Sequence, residues 1–323
     1  VATRILMLTY LSSRRLACHS KLSSPRLLFS TCESLNVKSQ LLQDTDVFIF
    51  DCDGVIWRGN EAISGATDVI TKLRNLGKKV YFITNNSTKS RRALQQKFSR
   101  LGFEVTYDEV LSSSYAAATY LKQHGMDGEN GGKAYVLGEE GICEELALQG
   151  IPYLGGPQDS NKIIDIEKDV HVDIDVKAVV AGLDRGINYY KLQYAQICLS
   201  NPEVLFIATN EDARAHLTPT QQWAGGGAIV GALKGCSGRN PLVVGKPSDF
   251  LIRDVISRSG SNPQRMCMVG DRLDTDILFG LNNGLQTLLV LSGVTTEDYL
   301  HSCSAISKPR YYSESIADLL RLV

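Results

Sequence analysis

The chain has 323 residues, 43% hydrophobic and 21% charged, with a net charge of −1. That is an ordinary globular composition, without the basic excess of a nucleic-acid binder and without an apolar run near the ~20 residues that span a bilayer. The length suits two domains of about 150 residues each.

The charge is unevenly spread. Residues 1–32 hold Arg4, Arg14, Arg15, Lys21 and Arg26, no acidic residue, and six serines, Ser12, Ser13, Ser20, Ser23, Ser24 and Ser30. An Arg- and Ser-rich, acid-poor start predicts an organelle transit peptide over about 1–40. A secretory signal fits less well, because the short apolar run at 5–11 has only Arg4 before it and no small-residue cleavage site after it. Eight cysteines are scattered without a CxxC pair, which removes metal-finger and thioredoxin readings and suits thiols in a reducing compartment.

From about residue 45, strands and helices alternate. Val47–Phe50 is a continuous apolar run ending at Asp51, as a strand buried on both faces would be. Ala66, Val69, Ile70, Leu73 and Leu76 recur at helical spacing until Gly77. Residues 79–83 read as the next strand, ending at Thr84, and Leu94, Phe98 and Leu101 mark a second helix ended by Gly102. The middle of the chain, 124–240, repeats this grammar, with strands at 134–137, 176–183 and 204–208 and helices at 139–149 and 188–199. Residues 158–175 are polar and acid-rich and read as a loop. The pattern then returns at 241–244, leading into Gly245-Lys246, at 266–269, leading into Gly270-Asp271, and at 286–290. Alternating βα units predict a parallel sheet covered by helices, with sites beyond the carboxyl ends of its strands. The middle reads as a second α/β domain inserted into the first.

Four motifs carry chemistry. Asp51-Cys52-Asp53-Gly54-Val55 sets two carboxylates two residues apart at a strand end, on one side of the chain. Crowded like charges call for a cation between them, and oxygen-liganded Mg²⁺ fits. A Ca²⁺ loop or capped turn is the alternative, but an EF-hand needs further acidic ligands that Ile56-Trp57-Arg58 does not supply. Thr84-Asn85-Asn86-Ser87 offers a hydroxyl and backbone N–H groups at a strand-to-helix turn, suited equally to a phosphate or to a helix cap. Lys246, in Gly-Lys-Pro, is expected near the N-terminus of a helix started by Pro247. Asp271, in Gly270-Asp-Arg-Leu-Asp-Thr-Asp276, lies at a strand end as Asp51 does; Asp274 reads as a helix cap. Trp57 and Trp223 read as packing residues, and Gly225–Gly227 as a tight turn.

In this order, DCDGV, TNNS, GK and GDRLDTD resemble the haloacid dehalogenase superfamily of phosphatases, over about residues 44–323. Within it, DGVIWRG at 53–59, ATNED at 208–212, WAGGGAIVGAL at 223–233, VVGKPS at 243–248 and MVGDRLDTDILFG at 268–280 resemble the phosphoglycolate and pyridoxal-phosphate phosphatase branch. NYYKLQYAQ at 188–196 and the transit-like start point to its organellar phosphoglycolate phosphatases. The resemblance implies an α/β fold: a Rossmann-like parallel-sheet core at 41–123 and 241–323, and an inserted C2-type cap at 124–240.

It also implies a mechanism. Asp51 attacks phosphorus, and hydrolysis splits into two easier steps. Asp53 protonates the leaving alkoxide and then takes a proton from water. Mg²⁺ is held by the Asp51 side chain, the Asp53 carbonyl and Asp271, with Asp276 supporting these ligands from behind. Thr84, Asn85, Asn86 and Lys246 hold the phosphoryl oxygens. The expected substrate is a small phosphoester, first 2-phosphoglycolate, alternatively pyridoxal 5′-phosphate or a broad range that includes p-nitrophenyl phosphate. No nucleic-acid or membrane partner is expected; a homodimer is. The expected destination is the chloroplast, alternatively the mitochondrion or cytoplasm. Selection falls to the cap, where Gly182-Leu183-Asp184-Arg185 and Thr209-Asn210 are the candidates and Arg185 can pair with a substrate carboxylate. Gly186 departs from relatives, which often carry a larger side chain there. The reading of another class is a non-catalytic phosphate-binding protein on this fold.

Overall fold

The computed structural model describes residues 32–35, 40–128, 131–215, 221–302 and 308–322. Residues 1–31, which hold most of the expected transit peptide, lie outside the described residues. Glu33–Ser34, within the expected presequence, pairs in parallel with Tyr311 and Tyr312 as an edge strand.

Two parallel sheets organise the described residues. The first has seven strands in the order Glu33–Ser34, Tyr311–Ser313, Gln286–Val290, Met266–Gly270, Val47–Phe50, Lys79–Thr84 and Val110–Ser112. Val47–Phe50 is central and buried along its whole length. Its side chains alternate between two layers: Phe48 and Phe50 enter one apolar cluster with Phe82 and Phe98, while Val47 and Ile49 enter the other. That is why the run is uninterrupted in the sequence. The expected helices form as Ala66–Asn75 and Arg91–Arg100. Gly77, at φ 73°, ends the first, and the Ser90 side chain accepts from the Ala93 N–H to start the second.

The second sheet has the order Leu242–Val243, Leu205–Ala208, Val176–Ala181, Lys133–Leu137 and Tyr153–Gly155, with helices Glu140–Leu148, Tyr189–Leu199 and Gly226–Ser237. This is the inserted cap. Leu242–Val243, expected in the first sheet, pairs in parallel with Ile207 and Ala208 of the second. Its apolar residues are compatible with either sheet, and the short connection from the Gly226–Ser237 helix brings it to the nearer edge. The chain therefore re-enters the core only at Gly245-Lys246.

Two more expectations change. Pro247 does not start a helix: the Ser248 N–H closes a turn onto the Gly245 carbonyl at 2.9 Å, and the helix runs from Phe250 to Ser259. Gly225–Gly227 is not a tight turn but the entry to the Gly226–Ser237 helix. A Cβ on Gly225 would stand 2.1 Å from the Asp212 carbonyl oxygen, and one on Gly227 would stand 2.6 Å from that of Glu211. These glycines admit a neighbouring backbone.

Candidate active site

Val47–Phe50 lies between Lys79–Thr84 and Met266–Gly270. Parallel neighbours end on the same side, so Asp51, Thr84 and Asp271 arrive together at the carboxyl edge. Lys246 reaches them from the cap sheet. Its Nζ donates to Asp51 Oδ1 at 2.5 Å, to Asp276 Oδ1 at 2.7 Å and to the Ile83 carbonyl at 3.0 Å. All three ammonium donors are thereby used. The other Asp276 oxygen accepts from the backbone N–H groups of Asp271 and Arg272, both at 3.1 Å, and Asp271 Oδ2 accepts from the Val294 N–H at 2.7 Å.

Asp51, Asp271 and Asp276 present carboxylate oxygens within 4.8 Å of one another, and all three are buried. Three carboxylates and one ammonium leave two formal negative charges among buried side chains. Burial raises the Asp51 pKa to about 7, against the pull of Lys246. Burial, with Asp276 and Asp51 beside it, raises Asp271 as well. The surrounding carboxylates keep the Lys246 ammonium protonated despite its burial. A hard divalent cation accepts oxygen ligands of this kind, and the surplus negative charge is what such an ion would neutralise. Space for the Asp271 carboxylate comes from two glycines: a Cβ on Gly293 would lie 1.9 Å from Asp271 Oδ2, and one on Gly54 would lie 2.6 Å away.

Asp53 is held apart from this cluster. Its Oδ1 accepts from Trp57 Nε1 at 2.8 Å, across a turn in which the Gly54 N–H donates to the Trp57 carbonyl at 2.7 Å. Gly54 sits at φ 85°, which this turn requires. Trp57 packs as expected, fully buried and edge-on to Phe98 at 4.7 Å, but it also orients Asp53, and composition gave no sign of that. Trp223, also expected to pack, is 44% exposed on a short strand paired with Arg214–Ala215.

The Thr84–Ser87 segment is a tight local network. Thr84 Oγ1 accepts from the Asn86 N–H at 3.1 Å, and Asn86 Oδ1 accepts from the Thr88 N–H at 3.0 Å and from its hydroxyl at 2.9 Å. Asn85 turns toward Lys246: its Oδ1 accepts from the Lys246 N–H at 2.8 Å, and its Nδ2 donates to the Lys246 carbonyl at 3.1 Å and to the Asp212 carboxylate at 3.2 and 3.3 Å. Asp212 stands in the ATNED segment, where no residue chemistry marked it.

Arg185 is not brought into this cluster. Its Nε and Nη2 each donate to Glu139 at 2.6 Å, and the side chain is 65% exposed. The loop carrying it is fixed from beneath. Fully buried Lys191 donates to Asp184 at 2.8 Å and to Ser160 at 3.2 Å. A Cβ on Gly186 would fall 2.4 Å from the Ser160 hydroxyl oxygen, a steric reason for glycine at this position. Beside Lys246 opens a cleft of about 460 Å³, lined among the described residues by Glu211, Asp212, Pro247, Ser248, Arg272 and Asp274. Asp274 is exposed there and pairs with Arg272 at 2.8 Å.

Residues 48–152 match the family model described as haloacid dehalogenase-like hydrolase, and residues 243–319 match the one described as HAD-hydrolase-like. Phosphoglycolate phosphatase 1A, chloroplastic, of Arabidopsis thaliana is 50% identical over 291 residues, covering 89% of this chain and 80% of that protein. Phosphoglycolate phosphatase 2 of the same plant is 48% identical over 304 residues, covering 93% of this chain and 99% of that protein. A glycerol phosphate phosphatase of Mycobacterium tuberculosis, solved in complex with magnesium, superposes with a TM-score of 0.72 at 27% identity, over 86% of this chain and 77% of that one. With its buried aspartates and lysine at the carboxyl edge of a parallel sheet and a second parallel sheet built from strands between residues 133 and 243, the chain belongs to the haloacid dehalogenase-like hydrolase family.

Proposed function

We propose that this enzyme hydrolyses small phosphomonoesters through a phospho-aspartate on Asp51, with 2-phosphoglycolate as its substrate and glycolate and phosphate as products. The observation that carries the mechanism is the Lys246 ammonium shared between Asp51 Oδ1 and Asp276 Oδ1. It fixes one Asp51 oxygen and leaves the other to attack. The substrate assignment rests on the two plant relatives named phosphoglycolate phosphatase.

In the first step an Asp51 oxygen bonds to phosphorus while the ester P–O bond breaks. Asp53 gives its proton to the departing alkoxide. Trp57 holds Asp53 through Oδ1, leaving the second oxygen for the proton. In the second step Asp53 takes a proton from water, the water oxygen bonds to phosphorus, and the bond to Asp51 breaks. Lys246, redirecting the donor now on the Ile83 carbonyl, and the backbone N–H next after Thr84 hold phosphoryl oxygens as charge shifts. Mg²⁺ fits the donor set: the Asp51 and Asp271 carboxylates and the Asp53 carbonyl would hold it, and Asp276 would steady Asp271 through its backbone N–H. When bound it supplies charge neutralisation and orientation for the transfer.

The test is a screen of the purified enzyme over small phosphoesters with Mg²⁺. The reading expects the highest kcat/KM for 2-phosphoglycolate and is overturned if another ester is clearly preferred. The Arg- and Ser-rich start and the chloroplastic relative support plastid targeting. A reporter carrying residues 1–40 behind an initiator methionine should enter plastids, and a cytosolic reporter counts against it.

A further inference from the structure

The cap segment Thr209–Asp212 lies against the catalytic lysine's own loop. Asn210 Nδ2 donates to the Asn85 carbonyl at 2.8 Å, and Asn210 Oδ1 accepts from the Asp212 N–H at 3.1 Å. Asp212 accepts from Asn85 Nδ2 with both oxygens, at 3.2 and 3.3 Å. Asn85 in turn closes a two-point bond onto the Lys246 peptide, 2.8 Å to its N–H and 3.1 Å to its carbonyl. Both ends of the Asn85 amide are thus spent on Lys246 and Asp212.

Close approach at three points makes this arrangement. A Cβ on Gly245 would stand 2.2 Å from the Thr209 carbonyl oxygen and 2.7 Å from Asn85 Oδ1. Gly225 and Gly227 clear the same segment from the other side, against the carbonyl oxygens of Asp212 and Glu211. Side chains at these three positions would push the segment off Asn85.

We propose that Asp212 and Asn210 are positioning residues for Lys246, acting through Asn85, so that the cap completes the phosphoryl-binding apparatus as well as covering it. The inference rests on the phosphatase reading of the site. It requires only a hydrogen-bond acceptor at residue 212, not its charge, and it is blind to the part of the substrate beyond the phosphate.

The test is steady-state kinetics of Asp212→Ala, Asp212→Asn, Asn210→Ala, Asn85→Ala and the Asn85→Ala/Asp212→Ala pair, with 2-phosphoglycolate and p-nitrophenyl phosphate. A displaced Lys246 lowers kcat by about 10- to 100-fold in Asp212→Ala, by the same factor on both substrates, and weakens inorganic phosphate binding measured by calorimetry. Asp212→Asn keeps an acceptor oxygen and recovers most of the rate. On the Asn85→Ala background, Asp212→Ala adds less than about twofold. Asn210→Ala cuts the second tie and behaves as Asp212→Ala does, which keeps the question open to test if one variant fails to fold. Losses confined to 2-phosphoglycolate, an Asp212→Asn as damaged as Asp212→Ala, or effects that multiply in the double variant overturn the proposal. Wild type and Asp51→Asn, run in parallel, report on the functional reading alone: turnover that Asp51→Asn abolishes sustains that reading whatever Asp212 does.

Discussion

Glu145 of the cap docks onto the first residue of a core helix, accepting from the Arg91 backbone N–H at 2.6 Å and from its guanidinium Nε at 3.3 Å. The carboxylate is fully buried, and the guanidinium lies over the rings of Tyr115 at 3.7 Å and Tyr107 at 4.1 Å. A carboxylate at a helix N-terminus answers both the open N–H groups and the dipole. Glu145→Ala should therefore destabilise the protein by about 3–5 kcal/mol, because it strands a buried cation. Glu145→Gln keeps an acceptor for the Arg91 N–H and should lose less. Urea unfolding of the three proteins checks this, and a Glu145→Ala midpoint equal to wild type would contradict it.

Asp51→Asn should reduce turnover by at least about 10³-fold, since the amide cannot serve as nucleophile. It should leave the fold intact. In chelator the variant should melt at or above the wild-type temperature, because one of three crowded, buried carboxylates has lost its charge while Lys246 keeps Asp276. Calorimetry in chelator, beside a p-nitrophenyl phosphate assay, measures both halves. Near-wild-type hydrolysis by undeamidated protein would remove the covalent mechanism.

Chelation should abolish activity, and Mg²⁺ should restore it. Ca²⁺ should inhibit: it takes more and longer oxygen bonds, and drawing in both Asp51 oxygens leaves none to attack. Binding should also raise the melting temperature with ion concentration, as expected for a ligand of the folded state alone. A metal titration followed by activity and by melting decides this, and full activity in excess chelator would refute it.

The sequence made the core site legible because its elements are local. Val47–Phe50 is apolar throughout since it is buried on both faces, and Asp51 and Asp271 follow their strands directly. What it concealed depends on partners far along the chain. Leu242–Val243 reads as a strand, but an apolar pair says nothing about which sheet will receive it. Glu145 reads as an ordinary helical glutamate, yet its partner Arg91 is 54 residues earlier. Asp212 meets Asn85 across 127 positions. Trp57 is nearer, four residues from Asp53, but only the turn at Gly54 points the indole N–H back.

Arg185 shows the same limit, and it bears on selectivity. A guanidinium is a good receptor for a substrate carboxylate, but that of Arg185 is already matched by Glu139 with two 2.6 Å bonds. Glu139 is only 16% exposed, so freeing Arg185 would strand a mostly covered carboxylate. Arg272 differs on both counts. It lines the cleft beside Lys246, and its partner Asp274 is 69% exposed. Asp274 can return to water at about 0–1 kcal/mol. The substrate carboxylate is therefore expected at Arg272. Arg272→Lys should lower kcat/KM for 2-phosphoglycolate by about 2 kcal/mol or more beyond its effect on p-nitrophenyl phosphate, because a point charge replaces a planar fork. Arg185→Ala should change both substrates alike and by little. The ratio of the two kcat/KM values is the readout, since it cancels any general disturbance next to Asp271. An unchanged ratio in Arg272→Lys with a lowered one in Arg185→Ala would return the carboxylate to Arg185 and require the Glu139 pair to open on binding.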